Sequence, residues 1–126
     1  MSQFTDIHKK EIKSDKLPDM GYPDCGNGWY SKQLSYADWF KFNCGQRCQL
    51  NFLEQLPIVL VAIAVTGINY QKVAFFLSLF YCVARVLYAR GYMQSPKGRV
   101  VGAILQDIAV LGMIVTSYKA CVEICM

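Results

Sequence analysis

The sequence predicts an all-α integral membrane protein with three transmembrane helices and an extended N-terminal arm. Hydrophobic residues make up 54% of the 126 residues and charged residues 17%, whereas an ordinary soluble domain has about 25% charged residues. Three apolar stretches account for the difference, and each is long enough to cross a bilayer as a helix. The predicted domains are an arm at 1–38 and a transmembrane domain at 39–126, with helices at about 39–68, 71–92 and 99–122.

The N-terminal arm is polar as far as about Asp19 and then becomes rich in turn residues and aromatic rings. Its first residues lack the apolar stretch of a signal peptide, so we expect an extended segment there. The aromatic rings suit either the headgroup region of a membrane or the surface of a partner protein, and composition does not separate these two interpretations. The rings are those of Tyr22, Trp29, Tyr30, Tyr36 and Trp39. Ser35 is expected to cap the helix that follows.

The first predicted transmembrane helix begins with a polar face and continues into an apolar block. The polar residues are Asn43, Arg47, Asn51 and Glu54, and their spacings of four, four and three place them on one helical face. Ionisable groups at this depth face protein or water rather than lipid. A tight turn is expected at 67–69, where glycine and asparagine end the apolar block.

The second and third predicted helices carry fewer polar residues. Tyr81, Arg85, Tyr88 and Tyr92 form a second polar stripe, four, three and four residues apart. In the third helix Asp107 needs a partner, and Arg85 is the nearest candidate. We interpret that pair as a structural contact between helices, in preference to a proton or ion pathway. Small residues in the third helix predict close helix packing. They are Gly102, Ala103, Ala109 and Gly112.

Several kinds of partner and cofactor are not expected. The only histidine is His8, and the six cysteines include no CxxC motif, so neither a metal site nor a haem site is predicted. No basic patch is interleaved with aromatic residues, which argues against a nucleic acid partner. Arg90, Lys97 and Arg99 lie near the second loop, whereas the first loop has only Lys72. The N-terminal arm and the second loop are therefore expected on the cytosolic or matrix side.

Two stretches resemble the signatures of a known family. FNCGQRCQLNFLEQLP at 42–57 is similar to the second-helix signature of the MAPEG family, the membrane-associated proteins in eicosanoid and glutathione metabolism. ARVLYARGY at 84–92 is similar to its third-helix signature. The resemblance covers about residues 40–120 and is closest to the branch of microsomal glutathione transferase type 3 and leukotriene C4 synthase. Members are trimers of four-helix subunits that bind glutathione between neighbouring subunits.

The resemblance implies a set of glutathione ligands. Arg47, Asn51 and Glu54 match positions on the second helix that hold glutathione. Tyr88 and Tyr92 match tyrosines that the neighbouring subunit contributes. The residue types suit this ligand, because arginine binds carboxylates through paired donors and glutamate binds an ammonium group.

The candidate catalytic residue is Arg99, which matches the arginine thought to stabilise the glutathione thiolate. A guanidinium beside a thiol increases the fraction of thiolate near neutral pH and thereby its nucleophilicity. Arg99 lies seven residues after Tyr92, in a region where the length of the loop varies within the family.

Two departures from the family pattern bear on activity. Residues 1–40 contain no apolar run of transmembrane length where the family has its first helix. Gln55 stands where relatives usually carry an aromatic residue. We therefore expect a MAPEG-derived accessory or structural subunit of a larger membrane complex, without catalytic activity, in a hetero-complex rather than a homotrimer, in the mitochondrial inner membrane or the endoplasmic reticulum. The alternative is a glutathione transferase or peroxidase that acts on apolar electrophiles or lipid hydroperoxides.

Overall fold

The described structure consists almost entirely of helices. The computed structural model describes residues 2–12, 24–26, 28 and 31–126, and no strand occurs within those ranges. Residues 1–33 and 34–126 form two separate compact units. The elements are α1 (Ser2–Ile12), a short 3₁₀ helix (Ser31–Gln33), α2 (Tyr36–Asn69), α3 (Gln71–Gln94) and α4 (Val100–Cys125).

The N-terminal unit contains a helix where an extended arm was expected. That expectation is wrong for α1, whose sequence contains neither glycine nor proline. Asp6 and Lys10 are four residues apart with the acid first, an order that favours a helix, and Lys9 and Lys10 lie in the last turn, where positive charge is favourable. The charged residues of this segment are therefore spaced as a helix favours. The aromatic residues Tyr22, Trp29 and Tyr30 lie outside the described residues.

The carboxylate of Asp24 organises the loop that follows. It accepts hydrogen bonds from the backbone N–H groups of Gly26 (3.1 Å), Gly28 (2.8 Å) and Ser31 (2.8 Å), and from the Ser31 hydroxyl (3.0 Å). These bonds, first among them that from the Ser31 backbone, hold the pKa of Asp24 below its ordinary value. A Cβ atom at Gly28 would lie 2.5 Å from the carboxylate, so a larger residue there would displace the Asp24 side chain from these bonds.

The second unit contains the three predicted transmembrane helices. α2, α3 and α4 are each long and apolar enough to cross a membrane. The predicted cap is confirmed, because the N–H group of Asp38 donates to the Ser35 hydroxyl over 3.2 Å. α2 begins three residues before its predicted start at 39 and passes through Pro57 as one helix.

The connection between α2 and α3 is shorter than predicted. The turn expected at 67–69 is wrong, because α2 continues to Asn69 and Tyr70 alone separates it from α3. Asn69 Nδ2 donates to the backbone oxygen of Ala120 over 3.4 Å, and the Tyr70 hydroxyl donates to Glu123. Contacts with the end of α4 thus hold the last turn of α2 in a helical conformation.

The helices pack most closely where α4 carries small residues, as predicted. A Cβ atom at Gly102 would lie 2.3 Å from the backbone nitrogen of Tyr88, so α3 and α4 approach each other there at backbone distance. Farther along, Ala109 and Met113 are fully buried against Val59 and Tyr81. This packing fixes which face of each helix is directed inward.

Candidate functional site

Arg85 is the centre of a polar cluster between the three helices of the second unit. Its Nη1 donates to Asn51 Oδ1 over 2.7 Å and to Gln106 Oε1 over 2.9 Å, and its Nη2 donates to the backbone oxygen of Cys48 over 3.1 Å. The guanidinium carbon also lies 5.2 Å from the ring centre of Phe52 and 4.8 Å from that of Tyr88. One arginine on α3 therefore connects α2 and α4 through neutral polar groups.

The predicted pairing of Arg85 with Asp107 is wrong. Gln106, of which only 2% is exposed, occupies the position facing Arg85. Successive residues point about 100° apart on a helix, so only one of this pair faces α3. Asp107 is exposed and accepts a long hydrogen bond from Gln55 Nε2 (3.5 Å), whose Oε1 accepts from the Tyr81 hydroxyl (3.2 Å).

Arg99 and the two candidate tyrosines are adjacent at the junction of α3 and α4. Arg99 Nη1 donates to the Tyr92 hydroxyl over 3.3 Å, and its guanidinium carbon lies 5.0 Å from the centre of that ring. The rings of Tyr88 and Tyr92 are 5.7 Å apart, and both pack against Cys44. The structure therefore brings together three of the six residues that sequence comparison singled out.

The other three candidates divide between the inside and the outside of the unit. Asn51 faces inward to Arg85, whereas Arg47 and Glu54 are exposed. Neither charged side chain forms a hydrogen bond or ion pair with the described part of the chain. They lie seven residues apart, almost in line along the helix, while Asn51 is rotated about 40° from Arg47. The predicted polar face therefore has two parts. Arg47 and Glu54 form an exposed charged edge, and the Asn51 amide beside it faces the interior.

The sequence model of the MAPEG family, which matches residues 11–119, identifies the protein class. The chain belongs to the MAPEG family. Its three apolar helices make it an integral membrane protein. No solved structure matches the chain.

In this MAPEG protein the candidate residues offer groups of complementary chemistry. Arg47 and Glu54 supply one positive and one negative charge on the exposed edge of α2, and Arg99 supplies a second guanidinium at the start of α4. A zwitterionic ligand with carboxylates and an ammonium group matches this set. Among the described residues, no group of three or more histidine, cysteine, aspartate or glutamate side chains is placed to hold a metal ion.

Sequence reasoning missed the connection from Arg85 to Asn51 through the interior. In the sequence, Gln106 is a polar interruption of an apolar helix and stands next to the carboxylate of Asp107. The signal that would have found it is geometric. Gly102 and Ala109 predict the buried face of α4, and Gln106 lies four residues after the first and three before the second, on that same face.

Proposed function

We propose that the protein is a glutathione-dependent membrane enzyme, a transferase or peroxidase of the type 3 and leukotriene C4 synthase branch. The observation that supports this most is the exposed pair Arg47 and Glu54 on a membrane helix, neither of which forms a hydrogen bond or ion pair with another described residue. Had these residues been a structural remnant, we would expect them to satisfy each other or neighbouring helices, as Asn51 does. The exposed guanidinium of Arg47 and carboxylate of Glu54 instead suit the binding of a charged ligand.

Glutathione fits the open groups by charge. It carries two carboxylates and one ammonium group, so Arg47 would bind a carboxylate and Glu54 the ammonium group. Each interaction combines a charge with hydrogen bonds, and such contacts are about twice as strong as neutral hydrogen bonds. Tyr88, Tyr92 and Arg99 would come from the neighbouring subunit.

Arg99 has the position and chemistry to activate the glutathione thiol. Its guanidinium lies at the first turn of α4, against Tyr92, and its side chain is exposed. A thiolate held by this group would attack an electrophilic carbon, forming a carbon–sulfur bond as the leaving group departs. With a lipid hydroperoxide, two glutathione molecules would instead be oxidised to the disulfide while the peroxide is reduced to an alcohol and water.

Calorimetry on the detergent-solubilised protein tests the binding step. We expect glutathione to bind at micromolar to millimolar concentrations, and Arg47→Ala to weaken binding at least tenfold by removing one charged hydrogen-bond donor. Lys72→Ala, which removes a positive charge at the opposite end of the helices, is the matched control and should bind normally. Wild-type protein that binds no glutathione would contradict the proposal.

Turnover tests the role of Arg99 separately. Arg99→Ala should reduce kcat for conjugation by about 10²-fold or more, because the thiolate loses the guanidinium that stabilises it. A spectrophotometric titration of bound glutathione thiolate should shift to higher pH in the same variant. Unchanged turnover in an active preparation would exclude this mechanism.

A second candidate function is that of an accessory subunit in a larger membrane assembly. Asp107 favours it, because this exposed carboxylate lies within a predicted membrane span and its one hydrogen bond, from Gln55, is 3.5 Å long. A charge at that depth requires a protein or water neighbour. The assembly would lie in the mitochondrial inner membrane or in the endoplasmic reticulum. The loop between α3 and α4 would face the matrix or the cytosol, because it is more basic than the loop between α2 and α3.

The size of the protein in native membranes distinguishes the two candidates. After mild detergent extraction, an accessory subunit migrates within a much larger particle, and Asp107→Leu should release it, whereas the neighbouring Ile108→Leu should not. A stable isolated homotrimer would exclude the accessory function. That homotrimer is the form we expect of the enzyme.

A further inference from the structure

We propose that Arg85 and Gln106 are positioning residues that fix the side-chain amide of Asn51, so that Asn51 can offer only a hydrogen-bond donor to a ligand. The inference rests on the proposed binding of glutathione and assigns the chemistry of one part of that site. Asn51 and Arg85 are partly buried, and Gln106 is almost completely buried.

The orientation of the Asn51 amide follows from the chemistry of arginine. A guanidinium carries only donors, so any amide atom 2.7 Å from Arg85 Nη1 must be the oxygen. The alternative orientation would place the amide NH₂ group of Asn51 against a positively charged donor. The ambiguity that usually affects asparagine side chains is thus absent at this position.

Gln106 strengthens the same orientation. Its Oε1 accepts from the same Nη1 atom over 2.9 Å, which directs its Nε2 away from the guanidinium. That Nε2 lies 3.4 Å from Asn51 Oδ1 and donates to it. Because a carbonyl oxygen accepts two hydrogen bonds well, both positions on Oδ1 are now occupied. Donors from α3 and α4 therefore hold the side-chain oxygen of Asn51 on α2.

The opposite end of the Asn51 amide remains available. Nδ2 donates to none of the described residues, and no buried side-chain nitrogen or oxygen among them lacks a partner, so Nδ2 is accessible. It can only donate. A ligand atom there must be an acceptor, such as a carboxylate oxygen or a peptide carbonyl oxygen of glutathione, and an ammonium group is rejected.

Arg85 also fixes the rotation of α2 about its own axis. Its Nη2 donates to the backbone oxygen of Cys48 over 3.1 Å, and its guanidinium lies over the ring of Phe52. These contacts hold the turn that contains Asn51, in the orientation in which Arg47 and Glu54 are exposed. The ligand-facing edge then has a fixed order, with a cation at Arg47, a neutral donor at Asn51 and an anion at Glu54.

A double-mutant cycle tests whether Arg85 acts through Asn51. In the wild type, Arg85→Met should raise the KM for glutathione about tenfold and leave kcat at saturation within about twofold, since only a ligand contact is weakened. In an Asn51→Ala background the same change should raise the KM less than twofold, because the amide to be oriented is gone. Arg85→Lys, which keeps the positive charge and an ammonium donor group, should recover part of the affinity. Arg90→Met removes an exposed arginine from the same helix and is the matched control.

Equal KM increases in the two backgrounds would overturn the inference while leaving the proposed function intact. Wild-type protein that binds no glutathione would overturn both. Arg85→Met has a risk of misfolding, so Asn51→Asp provides a second test that preserves shape and pairs with Arg85. It replaces the donor with an acceptor and should weaken glutathione binding at least tenfold. Normal binding by a folded Asn51→Asp variant would contradict the inference independently.

Discussion

The carboxylate of Asp24 has a testable effect on pH dependence. Its pKa is lowered in the folded loop, mainly by the backbone hydrogen bond from Ser31. A depressed carboxyl pKa stabilises the fold at pH above the ordinary value and loses that contribution as pH falls through the folded pKa. We expect the hydrogen bonds to the Asp24 carboxylate to persist at neutral pH and to be lost at acidic pH, below about pH 4. Carbon NMR of the Asp24 carboxyl group in micelles would measure the titration.

Ser31→Ala provides the control for this prediction. It removes the hydroxyl that donates to Asp24 over 3.0 Å and keeps the backbone donor of the same residue. The pKa of Asp24 should move part of the way back towards its ordinary value. An Asp24 carboxyl that titrates identically in both proteins would show that the Ser31 hydroxyl does not donate to it in solution.

The side chains of α2 show how far sequence can assign single residues to a site. Spacing correctly placed Arg47, Asn51 and Glu54 on one side of the helix, but a helical face is broad. Asn51 lies at its inner edge and is drawn to Arg85, while the other two remain outside. Which of these polar residues faces the interior depends on how close the neighbouring helices lie. A single sequence does not contain the distances between helices.

At the level of elements, the small residues of α4 control its packing against α3. A Cβ atom at Gly102 would lie 2.3 Å from the Tyr88 backbone nitrogen and 2.4 Å from its Cα, neither of which can move aside as a side chain can. We expect Gly102→Ala to destabilise the protein by about 1–3 kcal/mol, the usual cost of overpacking. Thermal unfolding in a single detergent would measure it as a lower Tm.

Gly67 on α2 is the matched control for that substitution. No atom lies within 4 Å of the position where its Cβ would be, and it too is within a helix. Gly67→Ala should change stability by less than about 1 kcal/mol, in either direction. Because Gly102 packs against Tyr88, its substitution should also reduce glutathione affinity. Equal Tm values for the two variants would contradict the close approach of α3 and α4.

The helices themselves were largely predictable, whereas their ends and the arm were not. Long apolar stretches identify α2, α3 and α4, since few other structures satisfy the backbone within a bilayer. The predicted end of α2 is too early because Gly67 and Asn69 are typical turn residues, yet the helix continues through both, and the Asn69 side chain donates to Ala120 and Glu123 at the end of α4. α1 was missed because it is polar and lacks a hydrophobic pattern.

For the whole molecule, the proposed glutathione site would be completed by a second copy of the chain. Arg47 and Glu54 face outward from α2, while Arg99 contacts Tyr92 of its own chain. If glutathione binds between subunits, each site takes Arg47 from one copy and Arg99 from the next. Catalytic activity of such an oligomer would then require intact interfaces between its subunits.

Mixing two inactive variants tests this arrangement. Co-expressed Arg47→Ala and Arg99→Ala subunits, each inactive alone, should form mixed trimers in which about a quarter of the sites combine two intact surfaces. Activity should recover to roughly that fraction of the wild-type value. Mixing Arg47→Ala with Glu54→Ala is the control and should recover nothing, since both changes affect the same surface of one subunit. If the first mixture also stayed inactive despite confirmed mixed trimers, Arg47 and Arg99 would have to serve one site within a single chain, or no common site.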